Sequence, residues 1–372
     1  MPPADAREWP LPPGSRSRRR SFHRENQIIV DTADVGTVRQ RLGAQIVRTD
    51  SSQLGVTRLT LRPGTDVPQQ VRTLRAVLGP PGPNRRLAGA NCVLQPWVSP
   101  GGDSGPRPDP GPLITSTDQG AAVTVLVPDS ALVANFAALL PPQRASAEPP
   151  NRLTPTGGAT TSTARHGTFV ASILLSAAVL PRVVVHDVFN GADGTDDWEL
   201  AIAIARYLGP PEAPTARLVS LSCGAFADDP PPALTALVAR YPKVVWVAAA
   251  GNVDPENDDD AVRPAWPAKL PTVIGVGATD SAGVKADFTD PLSADVWAPG
   301  VLSTGVFGAG SVNGVTFDRF ALWSGTSFAT PVVAAKLTAV VADGAGGAGS
   351  VFDRAMEFLR QEYSRGPDIV VI

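Results

Sequence analysis

A serine hydroxyl attacks a carbonyl only when a neighbouring base takes its proton, and histidine is the side chain that most often does so near neutral pH. The chain has three histidines, His23, His166 and His186, so serine-based chemistry must draw on one of them. Two serines stand in settings that suit a nucleophile. Ser104 lies in Gly102-Asp103-Ser104-Gly105-Pro106, and Ser327 lies in "WSGTSFATPVVAAKLTAVV", directly ahead of a long apolar run. That run reads as a helix with Ser327 at its N-terminus, where unpaired amides and the helix dipole favour developing negative charge. Pro331 falls near the first turn, where a missing N–H costs little. The same residues also suit an ordinary helix cap, so Ser327 needs a base from elsewhere to be a nucleophile.

Other chemistries find less support. The two cysteines, Cys92 and Cys223, show no CxxC spacing, so neither a structural zinc site nor a disulfide framework is expected. The acidic run Asp254 to Asp260 lacks the spacing of a calcium loop and reads as a solvated surface. With 18% charged residues and a net charge of -3, nothing points to nucleic acid as the main partner. No cofactor is expected.

The elements that must position these residues fall into two textures. From Ala121 onward, Val/Ile/Leu-rich strands such as "AVTVLV", "RVVVHDV" and "VVWVAAAG" alternate with helical segments such as "HGTFVASILLSAAV" and "WELAIAIARYL". Near-continuous apolar strands separated by helices predict an α/β fold, a mostly parallel sheet flanked by helices. Residues 27–98 instead read β-α-β-β-α-β, the order of a small ferredoxin-like α+β domain. Between them the stretch from Ser99 to Pro112 is mostly Gly and Pro, an extended connector without a core. The expected organisation is a basic disordered arm over 1–26, the small domain over 27–98, a linker over 99–114 and the large domain over 115–372. A second flexible segment is expected over 141–165. The longest apolar run, from Phe169, is too short to span a bilayer, and Arg19-Arg20 is followed by no apolar export segment. A cytoplasmic or non-classically exported protein is the expectation.

The order of base and nucleophile decides between the serines. Ser104 resembles a trypsin-type nucleophile loop, but His-Asp-Ser order would make His23, in the basic arm, its base, and that fold is built of β-barrels. Ser327 has no histidine after it, which excludes the Ser, Asp, His order of the α/β-hydrolases; the remaining order is Asp, His, Ser. On that order the chain resembles the subtilisin-like serine peptidases over roughly residues 115 to 345. "SGTSFATP" is similar to the family's nucleophile motif at Gly325, Thr326, Ser327, Ala329 and Pro331, and "RHGTFVAS" to its base motif at His166, Gly167, Thr168, Val170 and Ala171. Phe169 and Ser172 depart from that motif without touching the base itself. "VVWVAAAGN" resembles the strand ending in the oxyanion asparagine, here Asn252, and "LVSLSCG" the substrate-binding strand, with Ser222 and Gly224 matching.

The resemblance implies an aspartate after an apolar strand. Asp129 in "VTVLVPDSAL" fits, although Pro128 and Ala131 depart from the family pattern; Asp118 is the runner-up, and Asp187 comes after His166 and reads as structural. The activity implied by the same resemblance is that of a serine endopeptidase acting on polypeptides through an acyl-enzyme. Asp129, His166 and Ser327 would form its triad, Asn252 the oxyanion hole, and Ser222 and Gly224 would hold substrate. Residues 27–98 then correspond to a propeptide, an intramolecular inhibitor or chaperone cut off between about residues 98 and 115. The alternative is a catalytically impaired relative that binds peptides or regulates, in which the atypical surroundings of Asp129 have abolished turnover.

Overall fold

The computed structural model describes residues 4–10, 20–79, 87–97, 105–109, 111, 123–141, 143–156, 159–254, 263–342 and 350–371. The first domain contains strand β1 (Phe22–Asp31), helix α1 (Val35–Leu42), strands β2 (Ile46–Ser51) and β3 (Val56–Leu61), helix α2 (Val67–Leu78) and strand β4 (Ala88–Pro96). The strands lie antiparallel in the order β4-β1-β3-β2, the ferredoxin-like arrangement. Local chemistry marks the helix ends. Asp66 caps α2 by accepting the Gln69 amide at 2.9 Å, and Gly79, at φ +88°, ends it in a conformation costly for other residues.

Strand alternation gives this sheet two buried faces. Ile28, Val30, Leu59 and Leu61 face Val38, Val71 and Leu74 of the domain's own helices. Ile29, Val56 and Leu94 face the other way, into the core of the second domain. A four-stranded sheet with apolar residues on both faces requires a partner for its second face, and the rest of the chain supplies it.

The second domain is built on seven parallel strands: β5 (Val123–Asp129), β6 (Ala145–Glu148), β7 (Pro181–Asp187), β8 (Leu218–Leu221), β10 (Val245–Ala249), β11 (Val273–Thr279) and β12 (Val296–Pro299). Their order is β12-β11-β10-β8-β5-β7-β6. One face is covered by helices α3 (Thr163–Ala177), α6 (Thr326–Ala342) and α7 (Val351–Tyr363), with Phe169, Phe328 and Leu359 in its core. The other face is covered by α4 (Asp197–Leu208) and α5 (Pro232–Arg240), with Trp198, Leu200 and Leu234 buried. The α/β sheet and the small α+β domain expected from the sequence are both present. Among the described residues no helix is long and apolar enough to cross a membrane.

Three stretches differ from expectation. Residues 6–8 and 22–26, expected within a disordered arm, are paired strands: Ala6 lies opposite Arg24 and Glu8 opposite Phe22. Their arginines suggested a solvated tail, but Arg24 is satisfied by Asp5 and by Asp196 of the second domain. The linker expected over 99–114 contains a strand, Arg107–Asp109, against Phe320–Trp323, with Asp109 accepting the Thr304 hydroxyl at 2.8 Å. Within the segment expected to be flexible over 141–165, β6 completes the parallel sheet at its edge. Ser104, Asp118 and residues 255–260 lie outside the described residues.

Candidate active site

Chain order along the parallel sheet reverses between β5 and β8: from β5 the sheet grows through β7 and β6 on one side and through β8, β10, β11 and β12 on the other. Open α/β sheets leave a crevice beyond the carboxyl ends of their strands at such a point. The candidate residues collect there. Asp129 is the last residue of β5, Ser222 comes directly after β8 and Asn252 lies just beyond β10. His166 is in the first turn or so of α3 and Ser327 is the second residue of α6.

His166 Nδ1 lies 2.9 Å from each carboxylate oxygen of Asp129, and both side chains are fully buried. A carboxylate only accepts, so Nδ1 carries the proton and Nε2 is the basic nitrogen. Nε2 is buried with no hydrogen-bond partner. Close approach of α3 to the end of β5 makes the pair possible. A Cβ on Gly167 would sit 2.1 Å from the Ser130 carbonyl oxygen, so only glycine lets the helix come so near. The Ser130 hydroxyl accepts the Gly167 amide at 2.9 Å, and Thr168 Oγ1 accepts the Val133 amide at 2.9 Å, pinning the helix to the segment that follows β5.

Ser327 and Ser222 clasp each other. The Ser327 hydroxyl donates to the Ser222 carbonyl at 2.7 Å, and the Ser222 hydroxyl donates to the Ser327 carbonyl at 2.8 Å. In this arrangement Ser327 Oγ makes no hydrogen bond to Nε2 of His166. Asn252 Oδ1 accepts the Thr326 amide at 3.1 Å and its hydroxyl at 2.7 Å. Because an amide N–H only donates, this contact fixes which atom of Asn252 is oxygen, and the opposite Nδ2 is left buried and unpartnered. An unpaired buried donor beside a helix N-terminus suits an oxyanion.

The groove in front of these residues is occupied by the end of the first domain. Strand β9 (Cys223–Phe226) pairs antiparallel with β4, Gly224 opposite Gln95 and Cys223 opposite Pro96. On the other side Thr195 pairs with Leu94 and Asp196 with Val93. The chain then continues to Trp97, whose amide donates to the Ser222 carbonyl at 3.2 Å and whose carbonyl accepts the Ser327 amide at 3.2 Å. In the sequence Trp97 stands only as part of a last strand. Its contact with Ser327 depends on strand register across more than two hundred residues, for which a single sequence carries no signal. Ser130 and Thr326, equally, stand in the sequence only as neighbours of the residues they hold.

Other reactive groups take no part. Burial pushes the Cys223 thiol up, with the nearby Asp129 charge adding to the effect, so it stays a protonated, poor nucleophile. His186 pairs across β5 with Pro128, and burial lowers it to about 4. Asp187 accepts the Asn190 amide at 3.0 Å and pairs with Arg152, a structural role. Among the described residues there is no cluster of three His, Cys, Asp or Glu able to hold a metal.

Residues 122–347, more than half of the chain, match Peptidase_S8, the Subtilase family. Subtilisin of Bacillus pumilus is 38% identical over 92 residues, which is 24% of this chain and 30% of that protein, so the match spans less than a third of the relative's length. In fold, the chain is similar to fervidolysin from Fervidobacterium pennivorans, a keratinolytic enzyme related to subtilisin. The TM-score is 0.57 at 18% identity, over 97% of this chain and 61% of that one. It is similar also to the epidermin leader peptide processing serine protease of Staphylococcus aureus, with a TM-score of 0.54 at 16% identity over 92% and 93% of the two chains. Since the family match encloses the whole seven-stranded sheet and the crevice at its reversal, the chain belongs to the subtilase family, the subtilisin-like serine peptidases.

Proposed function

We propose that the chain is a serine endopeptidase with Asp129, His166 and Ser327 as its triad, and that its first substrate is its own Trp97–Val98 bond. The observation that carries this reading is the 3.2 Å contact between the Trp97 carbonyl oxygen and the Ser327 amide, in a strand hydrogen-bonded along the groove as an extended substrate would be. Rotation of the Ser327 side chain from the Ser222 carbonyl toward His166 Nε2 assembles the reactive state. Oγ then attacks the Trp97 carbonyl carbon and gives its proton to Nε2. The oxyanion is held by the Ser327 amide and Asn252 Nδ2. Nε2 delivers the proton to the Val98 nitrogen as the C–N bond breaks, and water hydrolyses the ester by the same route. Asp129 fixes the tautomer and stabilises the imidazolium. Ser222 and Gly224 hold the substrate backbone, and polypeptides of other proteins enter once the groove is vacated.

The hydrogen bond from Ser327 to Ser222 rather than to His166 favours a second reading, an impaired peptide-binding relative. Intact-mass analysis of the wild type and Ser327→Ala separates the two. Self-cleavage predicts a new N-terminus at Val98 in the wild type alone, with Ser327 labelled by a fluorophosphonate. An intact, unlabelled wild type would establish the impaired reading instead.

A further inference from the structure

The Trp97 side chain packs against Phe226 of β9. Its ring centroid lies 4.7 Å from that of Phe226, with the planes tilted by 55°. Phe226, Val253 and Ala265 form a small apolar cluster with Trp97, separate from the two large cores of the domain. Two glycines leave room for the ring. A Cβ on Gly224 would come within 2.5 Å of Trp97 Nε1, and one on Gly251 within 2.8 Å of the Ala265 Cβ and 3.3 Å of the Phe226 ring. Phe226 is held in place because its strand pairs with Ala265, so the ring forms a fixed wall. The indole N–H of Trp97 is buried without a partner, so these residues engage the aromatic surface and not the polar atom.

We infer that Phe226 is a specificity-determining residue, selecting an aromatic side chain on the acyl side of the scissile bond. The inference rests on the peptidase reading above. Ring against ring at this distance adds an attraction that an aliphatic side chain of similar size lacks, and an apolar lining disfavours a charged one. Because the buried N–H finds no partner, phenylalanine serves at least as well as tryptophan.

The test uses the full-length chain made by cell-free synthesis, with appearance of the Val98 N-terminus timed by intact mass. Trp97→Phe should be cut at close to the wild-type rate, Trp97→Leu about three- to tenfold more slowly, the contribution of one aromatic pair, and Trp97→Lys more slowly still. In a Phe226→Leu background, which keeps an apolar wall without the ring, the gap between Trp97 and Trp97→Leu should close. Fluorophosphonate labelling of Ser327 in that variant shows that the fold is intact. Equal rates for Trp, Leu and Lys at position 97, or a gap unchanged by Phe226→Leu, would overturn the inference while leaving self-cleavage standing. A wild type uncut at this bond would overturn this inference, and one that is also left unlabelled by the fluorophosphonate would remove the peptidase reading with it.

Discussion

At the scale of single residues, the Asp129–His166 pair decides which ring nitrogen carries the proton. Both carboxylate oxygens sit 2.9 Å from Nδ1, and neither side chain is reached by water that could substitute for them. Asp129→Asn keeps the shape but presents an amide donor as well as an acceptor, and the donor favours the tautomer with its proton on Nε2. Cleavage at Trp97 and fluorophosphonate labelling should then fall by on the order of ten-thousandfold, with little change in unfolding temperature. Wild-type labelling in this variant would return Asp118 to consideration. Asp129, His166, Asn252 and Ser327 were legible in the sequence because each lies in a short motif whose local geometry, a strand end or a helix start, is set by its neighbours. Trp97, Ser130 and Phe226 were not, because their roles come from pairings such as Gly224 with Gln95 that bring distant segments together.

At the scale of elements, apolar runs announced the long strands and helices well. Missed were the strands of three or four residues, such as Ala6–Glu8 and Arg107–Asp109, which carry too little pattern and are held by partners far along the chain. Strand β7 carries a group whose cost appears only on folding. His186 has a buried, unpartnered Nδ1 and packs against Tyr207, and burial, with Arg152 nearby, lowers it to about 4 from 6.5. Between these values the unfolded chain binds the extra proton and the folded one does not. Its contribution to stability is therefore full above about pH 6.5 and is lost as the pH falls toward about 4. Replacing His186 by Gln should shrink the fall in urea midpoint between about pH 7.5 and pH 5. His23, also lowered by burial, leaves part of the fall in place. An undiminished fall would show that His186 does not titrate as its burial requires.

At the scale of the whole molecule, three arginines of the first domain meet carboxylates at the helix starts of the second. Arg24 reaches Asp196 at 2.8 Å, Arg58 reaches Glu199 at 2.8 Å, and Arg75 pairs with Asp229. Scattered over fifty residues of sequence, two on strands and Arg75 on α2, they meet the second domain together only once sheet and helix have packed, so the docking surface was not legible although the domain was. The pairs are not equivalent. The Arg24 and Asp196 side chains are 17% and 4% exposed, and Asp196 also caps α4 by accepting the Glu199 amide at 2.9 Å. Glu199, by contrast, is 54% exposed. Removing one partner of a buried pair strands the other charge, whereas an exposed pair contributes little because water and salt screen it. In the proposed role of the first domain as an intramolecular inhibitor that stays docked after cleavage, these differences become measurable. Arg24→Ala should raise the inhibition constant of the cleaved domain, read from hydrolysis of an added peptide over a dilution series, by on the order of a hundredfold or more. Arg58 is itself only 15% exposed and lies 5.0 Å over the Trp198 ring, so the exposed group is its partner, and Glu199→Ala should raise the constant by less than about fivefold, an effect that fades with added salt. Equal effects of the two substitutions would mean that docking rests on the paired strand β4 and the apolar face of the sheet, with the buried ion pair adding nothing.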